Sequence, residues 1–535
     1  MSDRLRKSQH TWESPEQTPD SCTVVLTPEQ SRDLLRRYLA EERASDDDLE
    51  TLAQRLGYRP FALELAGRYF AGGFCPSVAE YGEDLDEIWN APAMVSWREK
   101  LSSPTAQDLD CMAAFGLNWQ QVEDETARRL FLFAGYCMPH QPIPSQLLDE
   151  AAKPNTEARD EALSSLIDLG LLEMDDPDAG PTIRPTLAEY ARAQEGADGI
   201  LPHPVRWLND EFYLHLKSEK QADTDLEPLL PHIRFIASLA AETGLETALS
   251  LYEYLGVYLY RTGDYAGAVE AYEWAFKLEE QAREPDLEKM VAYAKMRVRA
   301  LQSLGDVKGV RAGFEQAAAL QAKHHAEVHG EPDHIFVGET HRDAGKVLEA
   351  MGDLEGARAA FERALPIYEH FLKFKGIPNA NHQWVADLNF MLGRVLQGLE
   401  EWDAAQVAYG RALEIYTLVY GPEHGNVVAD LGNLGRVLQA QGDLEGAQAA
   451  LEQAVEISES VHGADHTTTA LFVSWYADLF KEKKEFYTAY TLYRRALEIF
   501  KASLPPERQA IEITQKNMQA MQQALRGETG AAKHP

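Results

Sequence analysis

The stretch GDLEGARAAFERALPIYE, residues 352–369, returns as GDLEGAQAALEQAVEISE at residues 442–459. These two copies decide the reading of the second half of the 535-residue chain. The turn that opens them recurs at Gly263-Asp264, Gly305-Asp306, Gly352-Asp353, Glu400-Glu401, Gly442-Asp443 and Lys484-Glu485, in steps of 42, 47, 48, 42 and 42 residues. A period of this length marks stacked supersecondary units that bury their apolar faces on one another. Seven residues before each turn stands Gly256, Val298, Gly345, Gly393, Gly435 or Ala477. Five residues after it comes Ala268, Val310, Ala357, Ala405, Ala447 or Ala489, and twelve after it Ala275, Ala317, Ala364, Ala412, Ala454 or Ala496. Between these lies a large apolar residue: Tyr272, Phe314, Phe361, Tyr409, Leu451 or Tyr493. Small side chains let two helices approach closely, and the large one fills the gap that remains. Glycine ends the first helix of each pair and aspartate caps the second.

This pattern resembles the tetratricopeptide repeat. Together with YGPEHGNVVADLGNLGRVLQAQGDLEGA (residues 420–447), the 42-residue period resembles the kinesin-light-chain type, with lengthened helices. The resemblance implies six repeats over 245–503, a capping helix over 504–526 and a tail, 527–535, expected to be disordered. It also implies an α-solenoid whose first helices line a concave groove for a protein or peptide.

The first half reads differently. Residues 1–25 are polar and are expected to be a disordered lead-in. Residues 26–87 carry amphipathic helices, with Thr27 as a cap and Pro60 at a helix start. Residues 108–195 carry three apolar helices, and then LLEMDDPDAGPTIRP (171–185), whose Asp/Pro/Gly turn between short apolar stretches predicts a small β-hairpin. Three helices and a hairpin make a winged helix, and 196–244 is a helical connector. The expected fold class is mainly α.

RLGYRPFALELAG (55–67), ARRLFLFAGYCMPHQPIPSQLLDEA (127–151) and TIRPTLAEYARAQ (182–194) resemble the helical and winged-helix segments of signal-transduction ATPases with numerous domains (STAND), those with an NB-ARC-like switch. The resemblance implies that Pro60 sits near an adenine and that Arg184, where the family has histidine, lies near the diphosphate. Yet no G-x-x-x-x-G-K-[ST] occurs in the chain. Without that cradle and its lysine the outer phosphates lack a counter-charge. A nucleotide domain on another chain, or ahead of this start, would complete such a switch.

The formal net charge of −35 argues against general binding to nucleic acid or to an anionic membrane. The helix expected to read DNA, within 156–170, is itself acidic, which disfavours a transcription regulator. No apolar run reaches the ~18 residues of a spanning helix. Cys22, Cys75, Cys111 and Cys137 are widely spaced and read as reduced thiols of a cytoplasmic protein. His325 and His329 lie four apart on a helix but read as surface histidines, since no third ligand accompanies them. His334, His382, His424 and His466 recur with the repeat and read as inter-repeat loop features. Trp119, Trp274, Trp384 and Trp475 read as core. No catalytic set, metal or cofactor is expected.

One feature rises above scaffold. The residue after each small one on the first helix should face the groove: Val257, Arg299, Lys346, Arg394, Arg436 and Asp478. Four successive repeats place a cation there. Gln302, Glu349, Gln397 and Gln439 follow one turn later, while Lys295 and Arg342 precede two of the cations on the same stripe. A basic, amide-lined groove suits an acidic peptide or a carboxylate. The competing reading is that these cations pair with neighbouring helices and hold the superhelix together.

Overall fold

The computed structural model describes residues 25–91, 94–95, 106–153, 155–176, 179–217, 224–329, 335–376, 382–503, 505 and 508–531. The lead-in, His334 and residues 532–535 lie outside these, apart from Val25. The chain divides into two units, Met1–Thr262 and Gly263–Pro535.

The first unit holds α1 (Pro28–Arg36), α2 (Asp46–Arg55), α3 (Pro60–Ala71), α4 (Val78–Glu87), α5 (Ala106–Gln120), α6 (Glu125–Ala134), α7 (Ser145–Ala152), α8 (Arg159–Asp168), α9 (Pro185–Arg192), α10 (Pro202–Lys217), α11 (Leu230–Glu242) and α12 (Thr247–Thr262). Thr27 and Gln30 cap α1 reciprocally, at 3.2 and 3.0 Å. Pro60 opens α3, where its missing N–H leaves no helical bond unmade. The Asn118 amide of α5 donates to Leu65 O at 3.2 Å and to Leu169 O at 2.7 Å. One buried side chain thus ties α3 to the end of α8. Buried His232 of α11 accepts from Met138 N–H at 3.0 Å, and its other ring nitrogen donates to Pro142 O at 2.9 Å. Burial holds its pKa below the ordinary histidine value.

The β-hairpin expected over 171–185 does not form strands among the described residues. It is reduced to one antiparallel bridge, Glu173–Thr182. Pro181 and Pro185 border the second stretch and have no N–H to extend a ladder.

The second unit holds α13 (Tyr265–Glu280), α14 (Leu287–Leu304), α15 (Val307–His329), α16 (Ile335–Ala350), α17 (Leu354–Phe374), α18 (Gln383–Gly398), α19 (Trp402–Tyr420), α20 (Gly425–Ala440), α21 (Leu444–Val461), α22 (Thr467–Glu482), α23 (Phe486–Ser503) and α24 (Gln509–Ala531). The last helix continues into the segment expected to be a tail. Its Ile511 and Met521 are buried against helix α23.

The turns follow the sequence columns. Gly263, Gly305, Gly352 and Gly442 take φ of 90°, 74°, 83° and 86°. Glu400 and Lys484 are forced into the same left-handed region, at 63° and 61°, which costs an L residue about 1–2 kcal/mol. Asp264, Asp306, Asp353 and Asp443 accept the N–H three residues on, at 2.9–3.0 Å.

The helix pairs also pack as the columns require. All twelve residues five and twelve positions past the turns, eleven alanines and Val310, are 0 % exposed. A Cβ on Gly345 would meet Phe361 at 2.5 Å, one on Gly393 would meet Tyr409 at 2.9 Å, and one on Gly435 would meet Leu451 at 2.6 Å. Each glycine therefore seats the large residue of its own repeat. The second repeat reverses the device. Val298 stands where glycine is expected, and Gly313 on the facing helix makes room, since a Cβ there would lie 2.4 Å from Val298 Cγ2.

Candidate ligand-binding groove

On the first helices α14, α16, α18 and α20, the residue after the small position is Arg299, Lys346, Arg394 and Arg436, and all four are exposed. Their surroundings differ. Arg394 donates through Nε and Nη2 to Glu349 Oε1 of the preceding repeat, at 3.0 and 2.5 Å. Arg436 lies over the Trp475 ring of the following repeat, 4.9 Å from its centroid. Among the described residues, Arg299 and Lys346 make no ion pair. Lys295 is half-buried, and that burial holds its ammonium below the ordinary lysine range, opposed by Asp343 and Glu339. Arg342 donates to Tyr368 Oη at 3.0 Å and to Asp343 at 3.1 Å.

The amides are partly spent. Gln397 accepts from the Tyr409 hydroxyl at 3.0 Å, and Gln439 donates to Glu482 at 2.7 Å. Gln302 is exposed. The stripe thus comprises an open pair of cations in the second and third repeats, and a set engaged between repeats further on.

Several functional candidates escaped the sequence reading. Asp430 of α20 is 0 % exposed, and neither carboxylate oxygen has a hydrogen-bond partner among the described residues. Burial, with Asp387 adding to it, pushes its pKa up to about 8. Asp387 itself accepts from the Tyr416 hydroxyl. A column signal was present: the residues five before the small position read Leu251, Tyr293, Thr340, Leu388, Asp430 and Phe472, one carboxylate in a buried series. A second missed device is the inter-repeat ion pair six residues past the turn. Arg311 binds Asp353, and Arg358 binds Glu401 at 2.6 Å, each reaching the turn of the next repeat.

The three recurring histidines among the described residues are helix caps. The Nδ1 atoms of His382, His424 and His466 accept from the N–H two residues on, at 3.3, 3.2 and 3.1 Å. His325 is not a surface residue; it is buried and stacks on Phe336 at 5.6 Å. The tryptophans are not uniformly core either. Trp274 and Trp384 are exposed, while Trp119 and Trp475 are half-buried. No group of three His, Cys, Asp or Glu among the described residues is placed to hold a metal. No described helix is long and apolar enough to cross a membrane.

In the first unit the structure brings the two nucleotide-remnant candidates near each other. Arg184 lies 4.1 Å over the ring of Phe61, the neighbour of Pro60. Its guanidinium is engaged by Glu173 at 2.5 Å.

The second unit is thus a tandem array of helix pairs with a polar stripe along its first helices. Residues 384–460 and 431–502 match the tetratricopeptide repeat family model. A search of curated proteins finds no match to the chain. Among solved structures, BtubC (BKLC) from P. vanneervenii is similar at 18% identity over 48% of this chain and 95% of its own, with a TM-score of 0.35. A STAND protein with a tetratricopeptide repeat sensor from Pyrococcus horikoshii is similar at 13% identity over 89% and 72%, TM-score 0.27. The TPR2AB domain of yeast Sti1, in complex with an HSP90 peptide, is similar at 13% identity over 51% and 98%, TM-score 0.22.

Proposed function

We propose that this chain is a non-enzymatic cytoplasmic binding protein whose repeat groove takes an acidic peptide or a carboxylate-bearing segment of a protein. The observation that carries this reading is the exposed cation at one position in four consecutive repeats, Arg299, Lys346, Arg394 and Arg436, in a chain of net charge −35. Lone exposed pairs contribute little each, ~0–1 kcal/mol, but a ligand with several carboxylates engages several cations at once. The first half, which resembles the helical and winged-helix segments of STAND proteins, anchors or relays that event.

The open pair is the place to test it. Fluorescence anisotropy with labelled oligoglutamate decapeptides should give binding that weakens with added salt, since exposed charges are screened over about 8 Å at physiological ionic strength. Arg299→Ala with Lys346→Ala should abolish it while leaving helicity and melting intact. Unchanged affinity in a well-folded double variant overturns the groove reading. Arg394 serves that test less well, because its loss also strands Glu349.

A second reading, a regulatory subunit whose nucleotide domain lies elsewhere, draws support from the proximity of Arg184 to the start of α3. It predicts that a separate chain with a phosphate loop copurifies with this one.

A further inference from the structure

The first unit carries a cation that its own fold leaves unmatched. Arg129 of α6 is half-buried, and among the described residues it makes neither a hydrogen bond nor an ion pair. Other arginines of the unit are engaged. Arg128 donates to Val122 O at 2.6 Å. Arg159 holds Asp149 and Asp160, Arg184 holds Glu173, and Arg192 donates to Gly135 O. A guanidinium partly withdrawn from water without an acceptor is unfavourable.

Arg129 lies on the wall of a hollow of about 320 Å³. Phe133 stands four residues on in the same helix and so shares its face. Glu150, Ala151 and Lys153 line the hollow from the end of α7, and Ile200 and His203 from the entry to α10. The charges there do not balance. Lys153 Nζ reaches Glu150 Oε2 at 2.5 Å, and that pair cancels. Arg129 is left as a net positive charge, and the His203 ring adds an N–H donor. Two larger hollows of the unit differ in sign. Asp198 and Glu246 line one, while Glu161 and Asp168 line the other, where Arg68 is already held by Glu64.

Small-molecule sites are hollows of about 300–1,000 Å³ with mostly apolar walls and a few polar groups. From this arrangement we infer that the hollow binds a small monoanion with an apolar body, a monocarboxylic acid in its ionised form. The carboxylate meets the Arg129 guanidinium, whose paired N–H groups match its two oxygens. The apolar body lies along Phe133, Ala151 and Ile200. A doubly charged phosphate monoester suits the site less, because Glu150 stands in the same wall and only one positive charge is unmatched. The site lies wholly in the first unit and is independent of the reading of the repeat groove.

Isothermal titration calorimetry of the full chain with sodium octanoate and with 1-octanol tests this. Octanoate should bind with a Kd of about a millimolar or tighter. Octanol has the same apolar body without the charge, and should bind about tenfold or more weakly. Arg129→Met keeps an apolar stem and should remove that preference. Arg299→Ala with Lys346→Ala should leave it intact. Ile200→Trp fills the hollow from its wall, should abolish octanoate binding, and serves if Arg129→Met does not fold. Absence of octanoate binding at about 10 mM overturns the inference. Equal affinity for octanol does the same, as does a preference for octanoate that survives in folded Arg129→Met or Ile200→Trp protein. Loss of the preference in the Arg299→Ala, Lys346→Ala protein moves the carboxylate to the repeats and also overturns it.

Discussion

Alanine at Gly345 should destabilise the array, although alanine at Gly410 should stabilise it. Both glycines lie inside helices, Gly345 in α16 and Gly410 in α19. Replacing a mid-helix glycine by alanine ordinarily gains about 0.5–1 kcal/mol, because the unfolded backbone has less freedom to lose. At Gly410 nothing lies within 4 Å of the added methyl, so that gain should appear in full. At Gly345 the methyl would sit 2.5 Å from Phe361 Cε1 and 2.7 Å from Cδ1 and Cζ. Phe361 is 0 % exposed and packed among Ala344, Leu348, Ala360 and Ala364, so the ring has nowhere to go. Overpacking of this kind costs roughly 1–3 kcal/mol. Net of the helix gain, Gly345→Ala should lose about 0.5–2 kcal/mol, and the two variants should differ by about 1–3 kcal/mol. Denaturant titration followed by circular dichroism measures this as opposite shifts of the midpoint. Repeats lean on their neighbours, so the loss at Gly345 should broaden or displace the whole transition rather than one segment of it. Phe361→Leu, which copies the Gly435–Leu451 pair of the fifth repeat, should cost less in the Gly345→Ala background than alone. Gly345→Ala matching or exceeding the wild-type midpoint would refute the packing register.

Lys484→Gly and Glu400→Gly relieve left-handed backbone and should each raise stability by about 1 kcal/mol; no rise in melting temperature for either would contradict the assigned turns. Asp430 has its folded pKa raised to about 8, so its protonated form favours the folded state below the ordinary carboxylate range, and that contribution is lost as pH rises toward 8. Asp430→Asn should therefore gain on wild type as pH goes from 5 to 8, by at most about 1.4 kcal/mol per unit, and melts showing a gap independent of pH would reject this. Because the chain has no phosphate loop, it should bind ATP or ADP no more tightly than about millimolar, and micromolar binding by calorimetry would be decisive against that expectation.

The repeats were legible because their helix contacts depend on residue size at fixed spacing, which sequence displays directly. Gly345, Gly393 and Gly435 face the large residues their columns implied. The pairing of groove cations was not legible in this way. Whether Arg394 reaches Glu349 depends on how adjacent first helices stagger, and spacing along the chain does not encode that stagger. Asp430 was visible as the one carboxylate in a buried column, but its lack of a donor is a property of three helices together. The hairpin failed for a local reason: turn residues and apolar flanks were counted, but the N–H groups removed by Pro181 and Pro185 were not. His325 was misplaced because helix periodicity alone does not show that Phe336, from the next helix, covers it.

The exchange between Val298 and Gly313 bears on how this array can be rebuilt by recombination. At the position of Gly313, the third, fourth and fifth repeats carry Ala360, Ala408 and Ala450. A crossover inside a repeat, at its turn, that joined the Val298 helix to any of those partners would set a valine against an alanine with no recess to take it. The reciprocal product would set a glycine against a glycine and leave a void. Crossovers in the loops between repeats keep each helix with its own mate and avoid both faults. Recombinants that keep the packing intact are thus those that exchange whole helix pairs, the second pair above all.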